Sequence, residues 1–256
     1  MKKLNRTTRL ISASLLATLT VGITGCGGGG GGSAASPNGI YTGSITDGFD
    51  GPPNGSEKGI IYNNRFMVFS TVFDIQQLFD ATITVTSTSF TGTVTNYDNS
   101  SSTSRYTATL SGQFTENTST TANFSNATPT SIADGTINLT ADTALYNKGS
   151  STATVTGSWQ GTHGNNGDST SLSVDSSGSI TAGNDDFCSF TGSVIPANTS
   201  INVYNVTIIS TGGTSCISLP AATYTGLAWT EDANDTTLNL TVSNGLNSRS
   251  VILTKN

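Results

Sequence analysis

The chain has 256 residues, of which 34% are hydrophobic and only 10% charged, and its formal net charge is −6. Beyond residue 25 all sixteen acidic residues stand against six basic ones, a net charge of about −10, which excludes the basic surface that nucleic-acid binding needs. The 231 residues left after position 25 suffice for one large or two small domains. Ser, Thr, Asn and Gly replace charge, a half-polar β composition in which each strand needs only one apolar face.

Residues 1–9 (MKKLNRTTR) carry only positive charge, and residues 10–22 form an apolar stretch. That stretch is shorter than the roughly 20 residues of a membrane-spanning helix and matches a signal-peptide core. It ends in Ile23-Thr24-Gly25-Cys26, followed by six glycines, Gly27 to Gly32. These residues resemble the lipobox of bacterial lipoprotein precursors; the plainer alternative is a secreted protein with a chance cysteine. The resemblance implies a signal peptide over 1–25, cleavage before Cys26, and acylation of its thiol and new amino group. Several acyl chains, at about 0.8 kcal/mol per buried methylene, would partner the membrane almost permanently. Gly27, in place of an inner-membrane-retaining Asp, implies the outer membrane. Residues 26–37 read as lipidated cysteine and tether, spanning roughly 18 Å as a flexible chain. No lysine follows the glycines, so they do not read as a phosphate cradle.

Residues 38–148 read as a first β module with strands at 39–45, 58–63, 65–73, 81–88, 90–97, 104–115, 119–126 and 134–140. Residues 74–80 lack β-branched alternation, which predicts one helical turn. Residues 149–256 read as a second module with strands at 152–162, 169–175, 178–182, 187–195, 201–210, 222–230, 236–243 and 248–254. Turn residues separate them, including Asn165-Asn166-Gly167-Asp168 and Asn244-Gly245.

Two stretches recur. Gly39 to Ser44 is echoed by Gly157 to Thr162, and Ser89-Phe90-Thr91-Gly92 by Ser189-Phe190-Thr191-Gly192. Either the modules are duplicated halves of about 110 residues, or a Thr/Ser/Gly-rich chain repeats itself by chance. The expected fold class is all-β: two tandem antiparallel meanders of about eight strands each, closed into barrels or paired as sandwiches. Gly157-Ser158-Trp159 resembles the first strand of lipocalin-like barrels. The whole layout resembles Gram-negative surface lipoproteins of the factor H-binding and transferrin-binding kind, which implies binding of a host protein. Fold-level likeness alone does not assign a function.

Outside the cytoplasm, Cys188 and Cys216 read as a disulfide, closed by a hairpin turning near Asn198. A metal site is the rival, with His163 as the one histidine available. No Gly-x-Ser-x-Gly and no Ser-x-x-Lys occurs, so no catalytic residue, cofactor or metal ligand is assigned and the chain reads as a non-enzyme. Asp185-Asp186, Glu231-Asp232 with Asp235, and the loop holding Asp47, Asp50, Asn54 and Glu57 fit no calcium-loop spacing and read as solvated turns. Trp159, Tyr224 and Trp229 lie on predicted strands, either filling a barrel or lining an apolar ligand pocket. The sequence thus points to an outer-membrane lipoprotein that binds a protein or glycan. A carrier of a small apolar ligand and a structural envelope component are the alternatives.

Overall fold

A computed structural model describes residues 35–46, 57–70, 77–98, 103–128, 134–163, 168–212, 216 and 219–256. The leader, Cys26 and the glycine tether lie outside the described residues. The first barrel is formed by β1 (Gly39–Thr46), β2 (Glu57–Tyr62), β3 (Arg65–Phe69), β4 (Gln77–Thr86), β5 (Ser89–Asp98), β6 (Thr103–Thr115), β7 (Ser119–Thr128) and β8 (Gly135–Ala141). Two single-turn helices, α1 (Thr143–Tyr146) and α2 (Thr152–Val155), connect it to the second. That barrel holds β9 (Gly157–His163), β10 (Asp168–Val174), β11 (Ser179–Asp185), β12 (Cys188–Pro196), β13 (Tyr204–Ser210), β14 (Ala222–Thr230), β15 (Thr237–Ser243) and β16 (Ser248–Lys255). Each sheet is an antiparallel meander of eight strands that closes on itself, β1 pairing β8 and β9 pairing β16. Closure removes the sheet edges that would otherwise pair with other chains.

Alternation explains how so polar a chain folds. On β7, Thr120, Ala122 and Phe124 are buried while Thr121 and Asn123 are exposed. On β5, Phe90 and Val94 enter the first core, and Thr91 and Thr93 face out. Leu238, Leu240 and Val242 of β15 do the same for the second core, beside Trp159 and Tyr224.

Three local expectations are corrected. Gln77 to Asp80 are strand, not helix; residues 74–76 lie outside the described residues. Gln77 accepts a hydrogen bond from Asn96 inside the barrel at 2.7 Å, and Leu78 is buried outside it, so partners on both faces override local propensity. The strand expected from residue 152 starts at Gly157, because Ser151 caps α2 by accepting from the Thr154 amide at 3.2 Å. The Ser-Phe-Thr-Gly echo falls on the fifth strand of one barrel and the fourth of the other. Neighbouring strands are antiparallel, so these strands run in opposite senses relative to β1 and β9, and the echo is not a duplicated position. It reflects a shared local need: a Cβ on Gly92 would lie 2.5 Å from the Thr82 carbonyl oxygen, and one on Gly192 1.9 Å from that of Thr207.

The Cys188–Cys216 disulfide is formed, with Cα atoms 4.7 Å apart and the cysteines 28 positions apart in sequence. A loop of that size stabilises the fold by about 3–4 kcal/mol in the chain-entropy account. It holds the segment after β13 against the end of the second barrel. There Leu219 is buried in the core, its amide donates to Cys188 Sγ at 3.4 Å, and its carbonyl accepts from Ser210 Oγ at 2.6 Å.

A third core joins the barrels. Ile40, Ile60, Met67, Phe69, Leu78 and Tyr97 point out of the first barrel and meet Val203, Leu227 and Trp229 from the second. This is why residues 66–69 (Phe-Met-Val-Phe) are apolar without alternation: both faces of β3 are covered. The rings of Phe69 and Trp229 lie 5.9 Å apart, and Lys58 bonds Glu231 at the periphery. Trp229→Ala is expected to remove about 3–5 kcal/mol and to split thermal unfolding into two transitions, one per barrel. A single calorimetric transition with an unchanged midpoint would rule out the shared core as the coupling element.

Candidate functional site

Where the shared core ends, β3, β4 and β5 diverge from β14 and β15 and leave a cleft of about 890 Å³ between the barrels. Its floor is built by strand parity. Arg65 and Asp80 point outward on adjacent strands, one pleat apart, because Arg65 pairs in register with Thr82. The guanidinium takes the carboxylate as a fork, Nε donating to Oδ1 at 3.1 Å and Nη2 to Oδ2 at 2.9 Å. The same guanidinium reaches the second barrel, with Nη2 donating to Ser243 Oγ at 3.1 Å and Nη1 to Thr225 Oγ1 at 3.2 Å. Ser243 Oγ donates in turn to Asp80 Oδ2. One ion pair therefore ties four strands across the seam, β3 and β4 to β14 and β15, with 23% and 12% of the two side chains exposed.

Tyr97 lies against this pair. Burial raises its phenol above the ordinary value and the Asp80 charge adds to the rise, while hydrogen bonds with Ser243 and Thr95 and the Arg65 charge oppose it. Tyr97 therefore stays neutral at physiological pH. Five threonines, Thr82, Thr93, Thr95, Thr223 and Thr225, line the walls with the Asn244 side chain. The site offers hydroxyl and amide groups around a charge pair that neutralises itself.

The residues singled out from sequence are placed elsewhere. Trp159 and Tyr224 lie inside the second barrel, and both polar tips are engaged. Trp159 Nε1 donates to the Val155 carbonyl at 2.8 Å, and the Tyr224 hydroxyl donates to that of Pro220 at 3.0 Å. Burial pushes the Tyr224 phenol up to about 12. Trp229, expected with them, points the other way: residues 224 and 228 face the barrel core, so 229 faces the first barrel. The three rings do not converge on one pocket.

The acidic groups have structural partners. Asp185, expected to be solvated, is fully buried inside the second barrel. Its Oδ2 accepts from Arg249 Nε at 3.0 Å and its Oδ1 from Thr170 Oγ1. Asp186, one residue on, is half-buried and accepts from the Ser169 amide at 2.9 Å. Asp232 accepts from the Asn234 and Thr236 amides and the Thr236 hydroxyl; these bonds, led by the Thr236 amide, hold its carboxyl well below the usual range. Lys148 bonds Asp235. Glu57 faces into the first barrel and is buried, whereas Asp47, Asp50, Asn54 and the His163 side chain lie outside the described residues. Among the described residues no three His, Cys, Asp or Glu side chains cluster as metal ligands.

Sequence reasoning missed Arg65, Asp80, Tyr97, Thr225 and Ser243. The available signal was an arginine opening an apolar run and a lone aspartate between apolar neighbours, both rare in a chain with 10% charged residues. No family model, curated protein or solved structure matches this chain.

Asp80→Ala leaves a half-buried guanidinium without its carboxylate and is expected to cost about 1–3 kcal/mol. Adding Arg65→Met should recover part of that loss, because the unpaired charge is gone. Strictly additive losses in urea titrations of the two single variants and the double variant would show that the pair does not act as one unit.

Proposed function

We propose that this protein is a non-catalytic binding module, held at the outer membrane by acyl chains on Cys26, and that its ligand, a glycan or a protein segment, docks in the cleft between the barrels. The observation that carries this reading is the Arg65–Asp80–Ser243–Thr225 network at the floor of a cleft of about 890 Å³. Ligand sites concentrate at domain interfaces, in clefts of about 300–1,000 Å³ with a few convergent polar groups. Binding rather than catalysis fits the chemistry of the lining. The ionisable side chains there, Arg65, Asp80 and Tyr97, engage one another and the neighbouring hydroxyls. General acid–base work instead needs a group poised near neutral pH and aimed at substrate.

The proposed tether suits such a module. Residues 35–38 pack beside Asn63, Asn64 and Ser87, at the end of the first barrel where the turns are tight, and the Tyr41 hydroxyl donates to the Pro37 carbonyl at 2.6 Å. The cleft shares no lining residue with this segment, although its Arg65 directly follows Asn64. Carriage of a small apolar molecule inside the second barrel has less support, because Trp159 and Tyr224 belong to the filled core.

Two measurements test the reading. In the native host, alkyne-tagged palmitate is expected to label the wild-type chain and not Cys26→Ala, which should leave the membrane fraction; unlabelled wild type would remove the anchor. Thr93→Trp places an indole in the cleft from an exposed position. It is expected to abolish retention of separated envelope glycans or proteins by the immobilised protein, and equal retention would place the binding site elsewhere.

A further inference from the structure

Building on the cleft as binding site, we propose that its ligand is a neutral, hydroxyl-rich polysaccharide, and that the sugar chain continues from the cleft along the outer wall of the first barrel. Charge gives the first argument. The chain past residue 25 carries a net charge of about −10, yet the charges lining the cleft are Arg65 and Asp80, closed on each other through two hydrogen bonds. An acidic glycan would find no free cation in that lining and would approach a like-charged protein. Beside that closed pair, a neutral sugar meets hydroxyl and amide groups that both donate and accept.

The second argument is the pattern of the wall. Outward threonines of β4 and β5 pair in register, Thr82 with Thr93 and Thr84 with Thr91. The rows continue onto β6, with Thr93 opposite Thr109 and Thr91 opposite Ser111. Beyond it Ser111 faces Asn123, Gln113 faces Thr121, and Thr121 faces Asn138. Strand geometry spaces such a grid by about 5 Å across and about 7 Å along the strands, on the order of one sugar residue. These side chains are largely exposed.

The third argument is continuity. Two shallow grooves, of about 400 and 510 Å³, cross the wall and share Thr121. The first begins at Thr91, one pleat from Thr93 in the cleft. Neither groove is lined by an ionisable side chain. A protein partner would want apolar anchors at its centre. Among the described residues the large exposed apolar side chains are Phe187, Ile195, Ile209 and Leu246, all on the second barrel and none lining the cleft or the grooves. Many weak hydroxyl contacts on one polymer add through effective concentration, so affinity should rise steeply with chain length.

The test is titration calorimetry on the full-length protein in detergent. The neutral probes are maltohexaose, cellohexaose and mannohexaose with their disaccharides, and the acidic probe is hexagalacturonate. At least one neutral hexasaccharide is expected to bind about tenfold or more tightly than its disaccharide and than hexagalacturonate. Thr93→Trp in the cleft and Thr121→Trp on the wall, both at exposed positions, should each weaken it by about tenfold. Absence of binding by every neutral probe, or preference for the acidic one, overturns the neutral-glycan proposal. If Thr93→Trp still abolishes retention of an envelope ligand in that case, the cleft remains the binding site. Neutral-glycan binding that survives Thr93→Trp but not Thr121→Trp would overturn the cleft reading and leave the wall.

Discussion

Closure of each sheet on itself is the constraint from which the rest follows. A closed eight-stranded barrel has no open sheet edge and leaves two kinds of side-chain position, inward and outward. The inward set alone must fill the core, and Phe66, Phe79, Phe90 and Phe124 do so in the first barrel while Trp159, Phe190, Tyr204 and Tyr224 do so in the second. The outward set is then free to be polar, and it is, except where the barrels meet. There β2, β3 and β14 become apolar on both faces, and the two barrels share a third core. The cleft is the geometric remainder of that contact, because two convex walls touch along one patch and part beyond it.

The polar network at the mouth of the contact follows from the same geometry. A charged pair at the edge of an apolar seam loses part of its hydration, and it holds only if its hydrogen-bonding capacity is taken up. Arg65 achieves this with a fork to Asp80 and two hydroxyls from the opposite barrel. The network makes the cleft polar without giving it net charge, in a protein whose remaining surface is acidic.

The second barrel contains a further pair of this kind. Asp185 and Arg249, both buried, meet at the barrel end that the disulfide-held segment covers. Removing one partner of such a pair leaves an uncompensated buried charge, so the pair and the disulfide both constrain that end of the barrel. The equivalent end of the first barrel also buries polar groups, Gln77 and Asn96 in a mutual hydrogen bond and the acidic Glu57.

Strand pattern is local, and so the all-β class, most strand boundaries and the Cys188–Cys216 pair were legible before any coordinates. Alternation needs only residues two apart, turns need only Asn, Gly and Asp at the right offset, and the two cysteines after Cys26 have one partner each. What could not be read was which outward face would be covered. Trp229 and Tyr224 differ by an odd number of residues, so the strand itself sends them to opposite faces, but only the arrival of Phe69 from the other barrel turns the outer one into core. Asp80 sits in a stretch whose local composition argues for helix, and it becomes a strand residue because Leu78 and Gln77 find partners far away in sequence. The candidate site was invisible for the same reason, since Arg65, Asp80, Thr225 and Ser243 come from strands as much as 178 residues apart. Local sequence determined the barrels and the disulfide. The packing of one closed barrel on another decided the shared core, the ion pair across it and the cleft, because contacts between distant strands follow from three-dimensional shape and not from any local repeat.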